Sequence, residues 1–226
     1  DDDDGEEGWY ARSRGYWASL LPTRAAMLGG LDTVHDQDAA GSLALLDFLT
    51  QKHGLLSTLA LDVGAGIGRV SASVLLKRFE QVDLLEQNEA FLVEARAHLP
   101  RGKIRQIHNS SLQSFVAPTP IYSAVWVQWV SIYVSDADLL AFLLRAKAGL
   151  APKGLIVVKE SVSRESNGFY ADLADASITR TASHFGRIFA AAGLETLHAR
   201  EQDKMPHAMF PVHMFVLRPE GCEGSS

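Results

Sequence analysis

Only one cysteine occurs in the 226 residues, Cys222, so no disulfide can form within the chain and a reducing compartment fits. No apolar run approaches the ~18 residues of a membrane span, and the first residues are acidic where a signal peptide would be basic. Surplus positive charge is missing as well. The chain carries 21 Lys and Arg against 27 Asp and Glu, a net charge of −6, and six of those acids fall in the opening DDDDGEE, leaving 21 against 21 over residues 8–226. A near-neutral body cannot meet phosphates or anionic lipid with many bases, which argues against a nucleic-acid binder and a polybasic membrane patch. Eight histidines form no His-x-x-x-His, and His207 with His213 has no cysteine beside it, so no metal site is expected. Asn109-Ser110-Ser111 matches a glycosylation sequon, a frequent chance match without meaning in the cytosol. The expectation is a soluble, cytoplasmic, monomeric protein.

What is present is an ordinary globular composition, 47% apolar and 8% aromatic, in a chain long enough to bury roughly 70% of its unfolded surface. Residues 1–8 and 220–226 are polar, charged or Gly-rich and read as flexible tails. Residues 9–219 read as one domain, with a helical cover over 9–55 and a core over 56–219. Within the core, short β-branched runs alternate with helical periods, which predicts α/β with a largely parallel sheet. The clearest strands are Leu59 to Val63, Val82 to Glu86, Ile104 to Ile107, Ala124 to Val127 and Leu155 to Val158. A last pair, Leu194 to Ala199 and Val212 to Leu217, would close the sheet. A helix starts after Ser135, a good N-cap, and buries Leu139, Leu140, Leu143 and Leu144. It stops before Pro152 and Gly154. Before the first strand, Tyr16, Trp17 and Leu20, then Leu43, Leu45, Leu46, Phe48 and Leu49, read as helices with apolar faces.

Leu61-Asp62-Val63-Gly64-Ala65-Gly66-Ile67-Gly68-Arg69 follows a strand and opens a helix expected to run to Phe79. Such a turn lets a ligand approach the backbone and meet unpaired helix N–H groups. A dinucleotide fold wants G-x-G-x-x-G, but the third glycine would fall at Arg69; the glycines present spell G-x-G-x-G. That spacing, with Asp62 two residues ahead, resembles class I S-adenosylmethionine (SAM) methyltransferases. Glu86, closing the second strand, suits a nucleoside ligand in either case, because a carboxylate there can accept both ribose hydroxyls.

Several segments together resemble the eukaryotic protein α-N-terminal methyltransferases that act on X-Pro-Lys termini. They are Tyr16-Trp17, Pro22-Thr23, Met27-Leu28-Gly29-Gly30, the glycine loop, Trp126-Val127-Gln128-Trp129-Val130 and Asp172 to Arg180, and the similarity covers about residues 10–218. The resemblance implies a seven-stranded, mostly parallel, Rossmann-like methyltransferase sheet flanked by helices, with an N-terminal helical extension. It implies that Gly64 and Arg69 hold the methionine end of SAM, with Gly66 in the same loop. Glu86 would take the ribose beside Gln87 and Asn88, Ser111 and Leu112 would flank the adenine, and Gln128 would close the site. Trp17, Leu28 and Trp129 would line a peptide channel, and Asp172 and Asp175 would face the incoming terminus. Nuclear access alongside the cytoplasm is an expectation from the family alone.

Methyl transfer from a sulfonium is an in-line displacement, so the protein must present a neutral amine at attack distance and exclude water. An α-amino group has a pKa of about 7.7 to 8, so a weak base suffices. Asp172 and Asp175, at i,i+3, would point the same way if they lay on a helix. On spacing alone they also read as two solvated acids near a helix N-terminus; the resemblance favours the catalytic reading. Trp17 and Trp129 could stack on a proline ring, or simply pack in the core. Two positions depart from the family pattern: Tyr133 stands where it has a histidine and Ser161 where it has an asparagine. Tyr133, with an unperturbed pKa of ~10, would be a poor base but could orient the amine or a water, and Ser161 is shorter than an amide with one donor rather than two. Asp175 becomes the first choice of base. The alternatives are a methyltransferase for a small amine and a weakly active SAM-binding adaptor of another methyltransferase. An NAD-dependent oxidoreductase is the remote option.

Overall fold

The structure is a computed structural model that describes residues 5–117, 119–165 and 168–221. Seven strands form one sheet in the order β3-β2-β1-β4-β5-β9-β8. They are β1 (Leu59–Val63), β2 (Gln81–Glu86), β3 (Ile104–Asn109), β4 (Tyr122–Gln128), β5 (Leu150–Ser161), β8 (Leu194–Glu201) and β9 (Val212–Pro219). Neighbours from β3 to β5 pair in parallel, and β9 runs antiparallel to both β5 and β8. All seven coincide with runs read from the sequence, most extended by a residue or more at their ends.

The sheet is buried on both faces, and the period of two in β4 shows how. Ala124 and Trp126 pack with Leu45, Leu46 and Leu49 of α3 (His35–His53) and with Leu92 of α5 (Glu89–His98). Val125 and Val127 pack on the opposite face with Phe142 and Leu143 of α6 (Asp136–Ala148) and with Phe185 and Phe189 of α7 (Ala182–Ala191). Successive strand side chains point to opposite faces, so a run that is apolar at every position belongs between two helix layers. Ser135 caps α6 as expected, accepting from the Asp138 amide at 3.2 Å.

Three expectations change. α1 (Gly5–Ser19) begins inside the segment read as a tail; Glu6 and Glu7 sit in its first turn, where acids favour the positive end of the helix dipole. The helix after the glycine loop is only α4 (Arg69–Ser73), and Val74, with φ −128°, breaks it before a 3₁₀ turn over Leu75–Lys77. Asp172 and Asp175 are not on a helix. They belong to a separate hairpin of β6 (Phe169–Asp172) and β7 (Ser177–Arg180), whose aromatic and β-branched residues favour strand. Among the described residues no helix is long and apolar enough to cross a membrane, and no group of three or more acidic, histidine or cysteine side chains could hold a metal.

Candidate active site

The order of the sheet reverses between β1 and β4: β2 and β3 follow on one side, β5 on the other. Ligands of open α/β sheets bind in the crevice at the carboxyl ends of such strands, and a cavity of about 350 Å³ opens there. Its floor is the glycine loop. Gly64 and Gly66 have φ of 66° and 55°, a region costly for side-chain-bearing residues. A Cβ at Gly64 would lie 2.5 Å from Val130, and one at Gly66 would lie 2.9 Å from Met27 Sδ.

Gly64, Gly66, Arg69, Glu86, Gln87, Asn88 and Gln128 all line this cavity, as do Trp17, Trp129 and Tyr133. Ser111 and Leu112 line an adjoining cavity of about 270 Å³ that shares Ser13, Arg14, Gln87, Val130 and Tyr133 with the first. Leu28 is buried but does not line the cavity; its neighbour Met27 does. Ser161 does not line it either. It ends β5, its amide donating to Glu160 Oε1 at 3.0 Å.

Glu86 is held by the loop it serves. Its Oε2 accepts from the Gly66 amide at 2.9 Å and its Oε1 from the Asn88 amide at 2.8 Å. Burial pushes its pKa up, opposed by those backbone donors. Each carboxylate oxygen retains a lone pair for a ribose hydroxyl. Asp62, just below the loop, accepts from the Ser71 amide and hydroxyl at 3.0 and 2.6 Å, and burial raises its pKa to about 6.

At the other end lies a cluster that the sequence did not reveal. Asp38 of α3 is fully buried. It accepts from Arg69 Nη1 at 2.7 Å and from Gln128 Nε2 at 2.8 and 3.0 Å, and it pairs with Lys159 Nζ at 2.5 Å. Burial would raise its pKa, but Lys159 and Arg69 outweigh that and hold it down. Lys159, itself fully buried, also donates to Ser42 Oγ at 2.8 Å and the Asp38 carbonyl at 2.9 Å; burial lowers its pKa to about 8 in spite of Asp38. The one available signal was Lys159 continuing the apolar run Leu155 to Val158, an interior position that a lysine occupies only when paired. The Arg69 guanidinium also sits 5.2 Å from the centre of the Trp129 ring. Trp129 has φ 52°, an uncommon conformation for a bulky residue and a frequent mark of a functional position.

The acids sit behind an aromatic wall. Trp17 meets Tyr133 edge-on with ring centres 5.4 Å apart, and Phe91 at 6.3 Å. The Tyr133 hydroxyl donates to Asp175 Oδ2 at 3.2 Å, while Asp175 Oδ1 is buried without a hydrogen-bond partner among the described residues. Burial first, then the charges of Asp175 and Glu160, push the Tyr133 phenol far up, so it is a donor and not a base. Neither Asp172 nor Asp175 lines the two cavities; Asp172 Oδ1 accepts from the Ala174 amide at 2.8 Å and caps the hairpin turn. Burial raises the pKa of Tyr16, and the charges of Asp175 and Asp172 add to it. Arg180, fully buried, fixes this arrangement by donating to the carbonyls of Ser131 and Val134, on either side of Tyr133, at 2.9 and 2.6 Å.

Comparison with known proteins agrees with this geometry. The profile of the family described as AdoMet dependent proline di-methyltransferase matches residues 5–218. An α N-terminal protein methyltransferase 1 from Drosophila melanogaster is 38% identical, with 96% of this chain and 79% of that protein covered. The human N-terminal Xaa-Pro-Lys N-methyltransferase 1 is 36% identical, with 94% and 96% covered. Among solved structures, a SAM-dependent methyltransferase from Leishmania major superposes with a TM-score of 0.88 at 34% identity, covering 94% of this chain and 84% of that one. With a cofactor crevice at the sheet's switch point and a buried carboxylate beside it, this chain belongs to the AdoMet-dependent proline di-methyltransferase family.

Proposed function

We propose that the protein transfers methyl groups from SAM to the α-amino group of proteins beginning X-Pro-Lys. The observation that carries this reading is the unpartnered, buried Oδ1 of Asp175, whose other carboxylate oxygen is bound by Tyr133 of the cofactor cavity wall. A buried carboxylate oxygen without a donor is costly, and a substrate ammonium satisfies it. The likeness to relatives named for X-Pro-Lys termini supports the same substrate.

The residues of the cavity fit SAM. Glu86 suits the ribose hydroxyls, Arg69 and Gln128 the methionine carboxylate, and Ser111 and Leu112 the edge of the base. SAM supplies a methyl group on a positively charged sulfur. Asp175 binds the terminal ammonium through Oδ1 and takes up its proton directly or through one water, leaving the nitrogen lone pair free. Tyr133 steadies Oδ2 of the same carboxylate and leaves Oδ1 for the amine. Trp17 and Trp129 offer ring faces to a second-position proline and exclude water from the reacting nitrogen.

Mass spectrometry after incubation with SAM and a peptide beginning Ser-Pro-Lys, beside an N-acetylated copy, tests the reading. Methylation of the free peptide alone is expected. Methylation of both would move the target to a lysine side chain, and methylation of neither, with SAM binding intact, would overturn the proposed substrate.

A further inference from the structure

The Asp38, Lys159, Arg69 and Gln128 cluster has more in it than cofactor contact requires. One carboxylate orients both groups assigned to the methionine end of the cofactor, because Asp38 binds Arg69 Nη1 with one oxygen and the Gln128 amide with both. That arrangement alone would be counterproductive. A buried Asp38 paired only with Arg69 would cancel the charge that a cofactor carboxylate has to find, and in a low-dielectric interior such cancellation is strong. Lys159 removes the conflict: its ammonium sits on Asp38 from the sheet side, fully buried, and makes no contact with the cavity.

We infer that Lys159 and Asp38 are positioning residues for the cofactor carboxylate: Asp38 aims Arg69 and Gln128, and Lys159 neutralises Asp38 so that the charge of Arg69 remains available to the ligand.

The other charged groups around the cluster do not take over this role. Asp62 is engaged with Ser71, and Glu86 with the amides of Gly66 and Asn88. His35, with Nδ1 3.5 Å from Arg69 Nη1, has its pKa lowered by burial and by Arg69, so it adds little positive charge near neutrality. Arg200 disfavours the charge on Lys159, but only after burial, Asp38 and Arg69. Among the described residues, the hydrogen bonds of the Arg69 side chain all run through Nη1, which leaves the rest of the guanidinium fork for a carboxylate. The placement also ties two parts of the chain together, since Asp38 belongs to the N-terminal helical cover and Lys159 to the central sheet.

The inference rests on the reading that Arg69 meets the cofactor carboxylate, and calorimetry with two ligands separates the two claims. SAM and its decarboxylated analogue, the same nucleoside sulfonium with a propylamine arm, are titrated into wild type, Lys159→Met and the double variant Asp38→Asn/Lys159→Met. Wild type is expected to prefer SAM at least tenfold. Lys159→Met is expected to weaken SAM about tenfold while changing the analogue less than threefold. The double variant restores the excess positive charge of Arg69 but keeps only one oxygen to aim Arg69 and Gln128, so it is expected to recover part of the SAM affinity lost in Lys159→Met; no recovery would overturn the neutralising role of Lys159. A wild type that binds both ligands equally would overturn the carboxylate reading and this inference with it. A Lys159→Met that keeps the wild-type preference, or that weakens both ligands equally, would overturn this inference alone, the second result being that of a purely structural lysine. If Lys159→Met does not fold, Lys159→Gln, which keeps a donor for Ser42 while removing the charge, takes its place: a selective loss of SAM affinity supports the inference, and an unchanged preference or an equal loss of both ligands overturns it.

Discussion

Asp175 has one carboxylate oxygen tied to Tyr133 and the other buried without a donor, so its contribution can be separated from cofactor binding. Asp175→Asn keeps the shape and removes the proposed proton acceptor; kcat on a Ser-Pro-Lys peptide should fall about 10²- to 10⁴-fold, the usual range for loss of a general base, with SAM affinity unchanged by calorimetry. Tyr133 works differently. Its phenol stays protonated because burial and the nearby acids push its pKa up. Initial rates from pH 6 to 10 should therefore show a single inflection, that of the substrate amine at about 7.7 to 8, and none from Tyr133. In Tyr133→Phe the ring contact with Trp17 survives and the bond to Asp175 does not, so kcat should drop about tenfold while thermal stability stays within about 1 kcal/mol, the worth of one such bond. Gly66→Ala puts a methyl group 2.9 Å from Met27 Sδ at φ 55°; it should weaken SAM binding, measured by the same titration, more than it lowers the melting temperature.

Among the elements, β5 carries an unusual load, with Lys159 and Glu160 both fully buried and facing opposite sides of the sheet. Glu160 accepts from the Ser131 hydroxyl at 2.8 Å and the Ser161 amide, yet burial still raises its pKa from 4.5 to about 7. The folded protein thus holds this proton more tightly than the unfolded chain does. Stability from this site is fully present below about pH 4.5 and falls as pH rises to about 7, by on the order of 3 kcal/mol, with no further loss above. Glu160→Gln keeps an acceptor for Ser131 and removes that loss. Melts followed by circular dichroism should show the variant several degrees more stable than wild type at pH 8 and nearly equal to it at pH 5; equal gains at both would contradict the raised pKa. Tyr10 fastens the helical cover to α6: its hydroxyl donates to Asp138 Oδ2 at 2.5 Å and accepts from the Ser135 amide at 3.0 Å. Tyr10→Phe should leave the core intact and increase amide exchange along α1.

At the scale of the whole molecule, the cavity is assembled from α1, the glycine loop, the ends of β2 and β4, and α5, so cofactor binding joins parts distant in sequence. A ligand that binds only the folded state adds about 2.7 kcal/mol at one hundred times its Kd, which for a chain of this size is a rise of roughly 5 to 10 °C in melting temperature. SAM should produce that shift in a thermal scan and NAD should not, the glycine spacing having argued against a dinucleotide. An equal shift from NAD would reopen that question.

Strand identity, the parallel sheet and the glycine turn were legible in the sequence because each depends on neighbours a few residues apart. Apolar runs such as Leu59 to Val63 mark doubly buried strands, and Gly64 to Gly68 marks a turn that only glycine makes cheaply. The family resemblance added most of the candidate cofactor residues, and they line two adjoining cavities. The hairpin under Asp172 and Asp175 was not legible from i,i+3 spacing, which suits a helical face as well as a strand end and the turn that follows it; cross-strand pairing with β7 decided it. Nor was the Asp38 and Lys159 pair, 121 residues apart, because a buried acid on a helix and a lysine ending an apolar run each look like surface residues until packing joins them. Local chemistry determined the elements and the loop that meets the cofactor. Only the tertiary structure decided which charges are buried together, since that depends on how the helical cover docks on the sheet and on desolvation, which is a property of the folded whole.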